Sequence, residues 1–120
     1  PPWTFDMSTQ YDLSPSSSFL IQTSANRLTP VLIEKFTIRT SCQIRMSNVT
    51  ANIVDEIWIW AVYDGGAPGQ KDVLLAEFSL PAYTSCAIEA GPFNFPEGGS
   101  IHARAKTGNA IAMHINKAQY

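Results

Sequence analysis

The stretch IWIWAVY at residues 57–63 is followed directly by DGGAPG at residues 64–69. Both faces of a β-strand formed by the first stretch would be apolar, which predicts a central strand covered on each side or a strand in a subunit contact. The second stretch predicts a loop, because glycine and proline interrupt strands. An apolar strand ended by such a turn is typical of an all-β fold.

The same pattern continues on both sides of this strand. From about residue 31 onward, short segments alternate apolar and polar residues, and each ends at Gly, Pro, Asn or Ser. In one of them Cys42, Ile44 and Met46 share a face. No long segment has the helical period. Seven or eight such strands predict a single antiparallel β-sandwich, jelly-roll-like rather than immunoglobulin-like.

The last two strand segments flank the turn Thr107-Gly108-Asn109 and are predicted to pair as a hairpin. The register that keeps one face apolar places Ile101 opposite Ile115. His102 then lies opposite His114. Because no Asp or Glu occurs in these segments and catalytic zinc usually has three protein ligands, we expect a polar surface here and no metal site.

The first part of the chain has a different composition, with three prolines and a serine-rich run but no clear period. We predict an extended N-terminal arm at residues 1–29, containing at most one short strand, and a β-sandwich domain at residues 30–120. Aromatic anchors concentrate binding energy at interfaces, so we expect Trp3, Phe5 and Tyr11 to dock on a neighbouring protein. A disordered tail is the alternative.

The charge content excludes several classes of partner. The chain has 8 basic and 10 acidic residues among 120, a net charge of −2, and only 15% charged residues. We therefore expect no nucleic-acid partner, and no membrane partner because no apolar run is long enough to span a bilayer. A surface with so few charged residues favours self-association. The start of the chain has no signal-peptide pattern, so we expect synthesis in the cytoplasm, where Cys42 and Cys86 stay free thiols.

No group of residues indicates catalysis. There is no Gly-x-Ser-x-Gly elbow, no Ser/His/Asp set and no cysteine spacing typical of a metal site. We predict no catalytic residue, no metal and no cofactor, and hence no enzyme. Asn48-Val49-Thr50 matches the glycosylation sequon, but without a signal peptide we interpret this as a chance match.

Trp58 and Trp60 share one face of their strand and are the candidate sheet interface. Two neighbouring indoles could stack on sugar rings, as in a lectin-like carbohydrate-binding module. Packing in a core or a protein interface is favoured, because Ile57 and Ile59 make the opposite face apolar as well.

The second half of the chain resembles the small β-sandwich virion proteins of tailed bacteriophages. The resemblance covers roughly residues 30–116 and rests on VLIEKFTI at 31–38, IWAVYDGG at 59–66, Leu74-Leu75, PEGGSIHARA at 96–105 and TGNAI at 107–111. NKAQY at 116–120 departs from it, since an acidic residue often follows the last strand in that family.

This resemblance implies a structural protein of the virion. The expected role is a capsid decoration or cement protein that oligomerises, commonly as a trimer, and clamps adjacent major capsid subunits on the capsid surface. It would be made in the cytoplasm of the bacterial host. A tail, neck or fibre component is the alternative within the same family, and the lectin-like module is the alternative outside it.

Overall fold

A computed structural model describes residues 16–119 of the chain, except for the side chains of residues 89–91 and 119. The described part forms two four-stranded antiparallel sheets that pack as a sandwich, which confirms the all-β prediction. Its eight strands are β1 (Ser17–Leu20), β2 (Val31–Lys35), β3 (Thr40–Asn48), β4 (Val54–Val62), β5 (Val73–Leu80), β6 (Ser85–Phe95), β7 (Ser100–Arg104) and β8 (Ile111–Gln119).

Most consecutive strands belong to different sheets. Sheet A has the order β1-β8-β3-β6, and sheet B has the order β2-β7-β4-β5. Of the connections between consecutive strands, the one from β4 to β5 stays within a sheet, and it contains a short 3-10 turn, Gln70–Asp72. The others cross from one sheet to the other. Most strands are therefore paired with strands distant in sequence.

The inner faces of the two sheets form one hydrophobic core, because side chains alternate between faces along each strand. Cys42, Ile44 and Met46 are buried there, while the intervening Gln43 and Arg45 are exposed, as the alternation of β3 predicts. The largest fully buried side chains are Phe36, Phe95, Ile21, Ile44, Met46, Ile57, Ile59, Ile101, Ile111, Met113, Ile115 and Val54.

The predicted hairpin between the last two strands is wrong. β7 pairs with β2 and β4 in sheet B, whereas β8 pairs with β1 and β3 in sheet A. Ile101 and Ile115 are both fully buried, so their faces are as predicted, but they belong to different sheets. A period of two identifies the buried face of a strand and not its neighbour. The segment between the two strands bonds instead to the β1–β2 connection: Asn109 N donates to Ile21 O at 3.0 Å.

A bulge in β4 sets which residues of that strand face outward. Val54 and Ile57 are both buried although they are three positions apart, and the pairing register with β5 shifts between them. Glu56, which lies in this interval, has a φ of 52°, a backbone conformation typical of bulges and turns. Beyond the bulge Ile57 and Ile59 face the core, and consequently Trp58 and Trp60 lie on the outer face of sheet B.

The sandwich uses residues on both sides of the predicted boundary at residue 30. Strand β1 lies within the predicted arm, which we expected to contain at most one short strand, and it forms an edge of sheet A. Phe19 packs against the core, and Ile21, just after the strand, is fully buried. Within the described residues the arm region is thus partly integrated into the sandwich.

The loops gather at two ends of the sandwich. At the Tyr83 end, which comprises the loops at 21–30, 49–53, 81–84 and 105–110, Tyr83 N donates to Thr50 O at 3.2 Å and Val49 N to Ala110 O at 3.0 Å. At the Gly98 end, which comprises the loops at 36–39, 63–69 and 96–99, Gly98 N donates to Phe36 O at 2.8 Å.

An ion pair joins the inner faces of the two sheets. Lys117 Nζ of β8 lies 2.8 Å from Glu34 Oε2 of β2, and both side chains are largely buried. Cys42 is the β3 partner of Lys117 in sheet A. Burial, followed by the negative charge of Glu34, raises the pKa of the Cys42 thiol to about 12, against the opposing influence of Lys117. Cys42 and Cys86 are both free thiols.

Candidate functional site

Trp58 and Trp60 form the floor of a groove on the outer face of sheet B. Their rings are stacked, with centroids 5.7 Å apart and planes inclined by 24°. Trp60 is only 3% exposed and Trp58 is partly exposed, although neither belongs to the core between the sheets. An outward-facing Trp can be this buried only if other parts of the chain cover it.

Four strands contribute to the row of side chains that contains Trp60. In the strand register Leu32 of β2 is opposite His102 of β7, His102 is opposite Trp60, and Trp60 is opposite Val73 of β5. Since opposite residues in an antiparallel sheet point to the same face, this row crosses the whole outer surface of sheet B. Leu32 is exposed, so the row has an open apolar edge.

Two loops form the walls of the groove. Leu28 and Pro30 come from the β1–β2 connection, and residues 68–70 come from the β4–β5 connection. The space between them is about 300 Å³, at the lower end of pockets that bind small ligands. Leu28 is 65% exposed, which places an apolar side chain at the rim.

The β4–β5 wall is held in place by carboxylates. The buried Asp72 accepts a hydrogen bond from Gly69 N at 2.8 Å through its Oδ2, and Gly69 is one of the lining residues. Asp64 accepts hydrogen bonds from Gly66 N at 3.0 Å and Lys71 Nζ at 2.6 Å. These bonds close the loop on itself, so the groove is shaped before anything binds to it.

Two buried polar atoms on this face have no hydrogen-bond partner among the described residues, namely Trp58 Nε1 and His102 Nδ1. Burial lowers the pKa of His102, and the opposing effect of Asp72 is smaller, so the imidazole is neutral at pH 7. An unpaired buried donor costs about 1–3 kcal/mol.

Arg104 supports the groove beside Trp58, its partner in the β4–β7 register. Although charged, it is only 3% exposed. Its Nε donates to Ser24 Oγ at 3.2 Å, and its Nη1 donates to Glu56 O at 3.0 Å and lies 3.5 Å from Glu56 Oε1. The guanidinium therefore ties the β1–β2 connection and the β4 bulge to sheet B.

A second apolar surface lies at the Tyr83 end. Val49, Ile53 and Tyr83 are 51%, 56% and 73% exposed, and they come from two loops that hydrogen-bond to each other. Three large apolar side chains exposed at one end of a small domain are a candidate protein contact. Tyr83 has a φ of 54°, so its loop is tightly turned.

The two histidines do not meet, contrary to the predicted hairpin register. His102 lies on the outer face of sheet B, whereas His114 is in sheet A, where its Nδ1 is 3.0 Å from Ser18 Oγ. Within residues 16–119, no cluster of three or more His, Cys, Asp or Glu side chains could hold a metal ion. In the same part of the chain, no helix has the length and apolar character needed to span a membrane.

The sequon asparagine is engaged in the fold. Asn48 is 2% exposed, and its Nδ2 donates to Asn52 O at 2.8 Å and Leu80 O at 2.9 Å. Its Oδ1 accepts from Thr50 N at 2.9 Å and Thr50 Oγ1 at 2.7 Å. All the hydrogen-bonding capacity of the side chain is used to join the β3–β4 loop to β5, which leaves no free amide for a glycan.

Of the predicted interface residues, the structure places Trp58 and Trp60 together in the groove, while Trp3, Phe5 and Tyr11 lie outside the described residues. The stacked and mostly covered indoles offer little open ring surface for a sugar. Sequence reasoning missed the two walls of the groove and the apolar patch at the Tyr83 end. Pro81, Tyr83 and Thr84 signal a turn, but no sequence pattern brings that turn beside Ile53.

Comparison with protein-family models, with characterised proteins and with solved structures finds no match to this chain. The resemblance to phage virion proteins thus remains a prediction.

Proposed function

We propose that this protein is a structural subunit of a tailed-bacteriophage virion, a decoration protein that oligomerises and clamps adjacent major capsid subunits. The observation that carries the proposal is the strand order, β1-β8-β3-β6 over β2-β7-β4-β5. An eight-stranded double sheet in which nearly every connection changes sheet is the arrangement of a jelly roll, which recurs in viral capsid domains. It supports the jelly-roll interpretation that the sequence favours.

The surface of the sandwich supports a function by binding. The groove over Trp58 and Trp60 and the patch of Val49, Ile53 and Tyr83 are separate apolar surfaces. Two contact surfaces are what a cement protein needs, one for its own copies and one for the shell. We assign the patch at the Tyr83 end to the shell and the groove to self-association.

Binding alone can reinforce a shell. A contact of standard size buries about 1,600 Å², and apolar area removed from water contributes roughly 25 cal/mol per Å² before the costs of association. An oligomer that contacts several capsid subunits adds such contacts in parallel, so dissociation requires all of them to open together. The shell then resists expansion and heat without any chemistry by the subunit.

A lectin-like module is the second candidate, because jelly rolls also occur in lectin domains and two Trp rings line the groove. Its weakness is the burial of Trp60, which leaves Trp58 as the main ring available to a sugar.

The experiment is reconstitution with shells of the virus that encodes the chain. Purified protein is added to shells that lack it, and the particles are imaged by cryo-electron microscopy. We expect added density on the capsid at positions of local threefold symmetry and a higher temperature of shell disruption. Density confined to the tail or neck overturns the decoration role in favour of the tail alternative. Binding to a glycan array without binding to shells overturns it in favour of the lectin.

A further inference from the structure

We propose that the groove over Trp58 and Trp60 binds residues 1–15 of a second copy of the same chain. The inference deepens the proposed function, on which it rests for the expectation of self-association. It names the occupant of the groove, and it gives the aromatic residues ahead of β1 a partner.

The groove has the chemistry of a site for an extended apolar segment. Of the two indoles in its floor Trp58 is the partly exposed one, and Pro30 and Pro68 also line the groove. Grooves lined by aromatic rings and proline bind proline-containing segments, whose restricted backbone loses little entropy on docking.

Residues 1–15 have the matching composition. The segment reads PPWTFDMSTQYDLSP, with three prolines, three aromatic residues and only two charged residues, Asp6 and Asp12. Charged side chains are depleted at the centres of protein interfaces, and Trp, Tyr and Phe are enriched there. Residues 1–5 carry two prolines and two of the aromatic residues and have no charged side chain, so they are the part that we expect to fill the groove.

The position of Ser16 favours binding of residues 1–15 to the groove of a second copy over binding to the groove of their own copy. Ser16 Oγ donates to Asn116 Oδ1 of β8 at 2.6 Å, so the described part of the chain begins beside sheet A, whereas the groove lies on the outer face of sheet B. Fifteen residues extend to about 50 Å at ~3.3 Å per residue. In its own copy the segment would have to turn around an edge of the sandwich to reach the outer face of the other sheet. The groove of a neighbour set edge to edge can be reached without that reversal.

This exchange specifies the kind of assembly. Each copy gives one segment and receives one, which is a head-to-tail contact between two different surfaces. Such a contact generates a closed ring if the rotation between copies closes, and a trimer is the ring that the proposed function expects.

The test uses the full chain with substitutions that leave the sandwich intact. The donor variant carries Trp3→Ala, Phe5→Ala and Tyr11→Ala. The acceptor variant carries Leu28→Glu, which places a charge at the exposed rim of the groove. Leu20→Glu is the matched control, because Leu20 is also an exposed leucine but lies on β1 in sheet A. The molar mass of each is measured by sedimentation over a range of concentrations.

We expect the wild type and Leu20→Glu to form the same oligomer, and the donor and acceptor variants to weaken association by about tenfold or more. A labelled synthetic peptide of residues 1–15 should bind the donor variant, whose groove is empty, and not the acceptor variant. Mixing the two defective variants should give a dimer, since one supplies an intact segment and the other an open groove.

A monomeric wild type, or an oligomer whose mass is unchanged in the donor and acceptor variants, overturns the proposal. So does a peptide that binds the acceptor variant as tightly as the donor variant. Shell binding is measured separately on the same samples. If the segment exchange holds and shells are not bound, the decoration role fails alone; if shells are bound by a protein insensitive to these substitutions, the exchange fails alone.

Discussion

Arg104 is a buried charged residue on the outer face of sheet B. Its hydrogen bonds to Ser24 Oγ and Glu56 O are partly buried, and its charge is paired with the Glu56 carboxylate. Substitution by Ala leaves the Glu56 carbonyl without this donor and opens space beside Trp58.

For Arg104→Ala we expect a loss of roughly 2–3 kcal/mol in the free energy of unfolding, measured by denaturant titration. Lys106→Ala is the control: Lys106 lies 3.8 Å from the same carboxylate, but its side chain is 64% exposed. Exposed pairs contribute about 0–1 kcal/mol, so that variant should remain close to the wild type. Equal losses in the two variants would contradict the role we give to the buried guanidinium.

Cys42 makes the free energy of unfolding depend on pH in the alkaline range. Its thiol pKa rises from 9.0 to about 12 on folding, so the folded state holds a proton that the unfolded chain releases. The stability due to this group is complete below about pH 9 and is lost as the pH rises toward 12. The slope for one proton is about 1.4 kcal/mol per pH unit.

Unfolding titrations between neutral pH and about pH 11 check this dependence. The wild type should lose stability with rising pH, and Cys42→Ala should lose it less steeply, although it starts lower because a core side chain is shortened. Cys86→Ala serves as the control, since Cys86 is only half-buried; burial raises the pKa of its thiol, and the nearby Arg45 opposes that rise. If Cys42→Ala declines as steeply as the wild type, another group controls the alkaline transition.

At the scale of elements, the β4–β5 connection is the part whose shape determines the groove. Asp72 fixes it by accepting from Gly69 N, and Gly69 lines the groove. For Asp72→Ala we expect faster hydrogen exchange at the Gly69 amide and a loss of about 1 kcal/mol in stability.

Asp64→Ala is the control, because it removes a carboxylate from the same connection but leaves the hydrogen bond of the Gly69 amide intact. Its Gly69 exchange rate should match that of the wild type. If the Asp72→Ala protein also exchanged at the wild-type rate, the loop would be held by its other contacts and not by this carboxylate.

The strands show what the sequence could and could not predict. The alternation of apolar and polar residues predicts the buried faces of β3, β7 and β8, because this pattern is contained within each single strand. The partner of a strand depends on which connections cross the sandwich, and a compact turn such as residues 107–109 suits a crossing as well as a hairpin. Trp58 and Trp60 were found from their spacing. Leu28 and Pro68, which make the groove around them, are brought there only by tertiary structure.

At the scale of the whole molecule, the two apolar surfaces should be separable by mutation. The pair Ile53→Asp and Tyr83→Asn removes the patch at the Tyr83 end, and Asn suits the positive φ of residue 83. We expect this variant to bind shells at least about tenfold more weakly while its oligomeric mass stays that of the wild type.

Ile38→Asp provides the comparison, because Ile38 is 41% exposed at the opposite, Gly98 end. Its affinity for shells, measured by co-sedimentation, should be that of the wild type. A stronger loss of binding in Ile38→Asp than in the double variant would show that the protein meets the shell by its other end.

The place of β8 governs when a newly made chain can complete sheet A. This strand lies between β1 and β3 in sheet A, although it comes last of the eight in the sequence. A chain still on the ribosome therefore has a gap in the middle of that sheet until residues 111–119 have emerged, and β1 has no strand to pair with before then. Sheets with such long-range pairing fold slowly, because loop closure precedes the gain from the contacts. Until β8 is in place, the edges of β1 and β3 that it covers stay open to pairing with other chains.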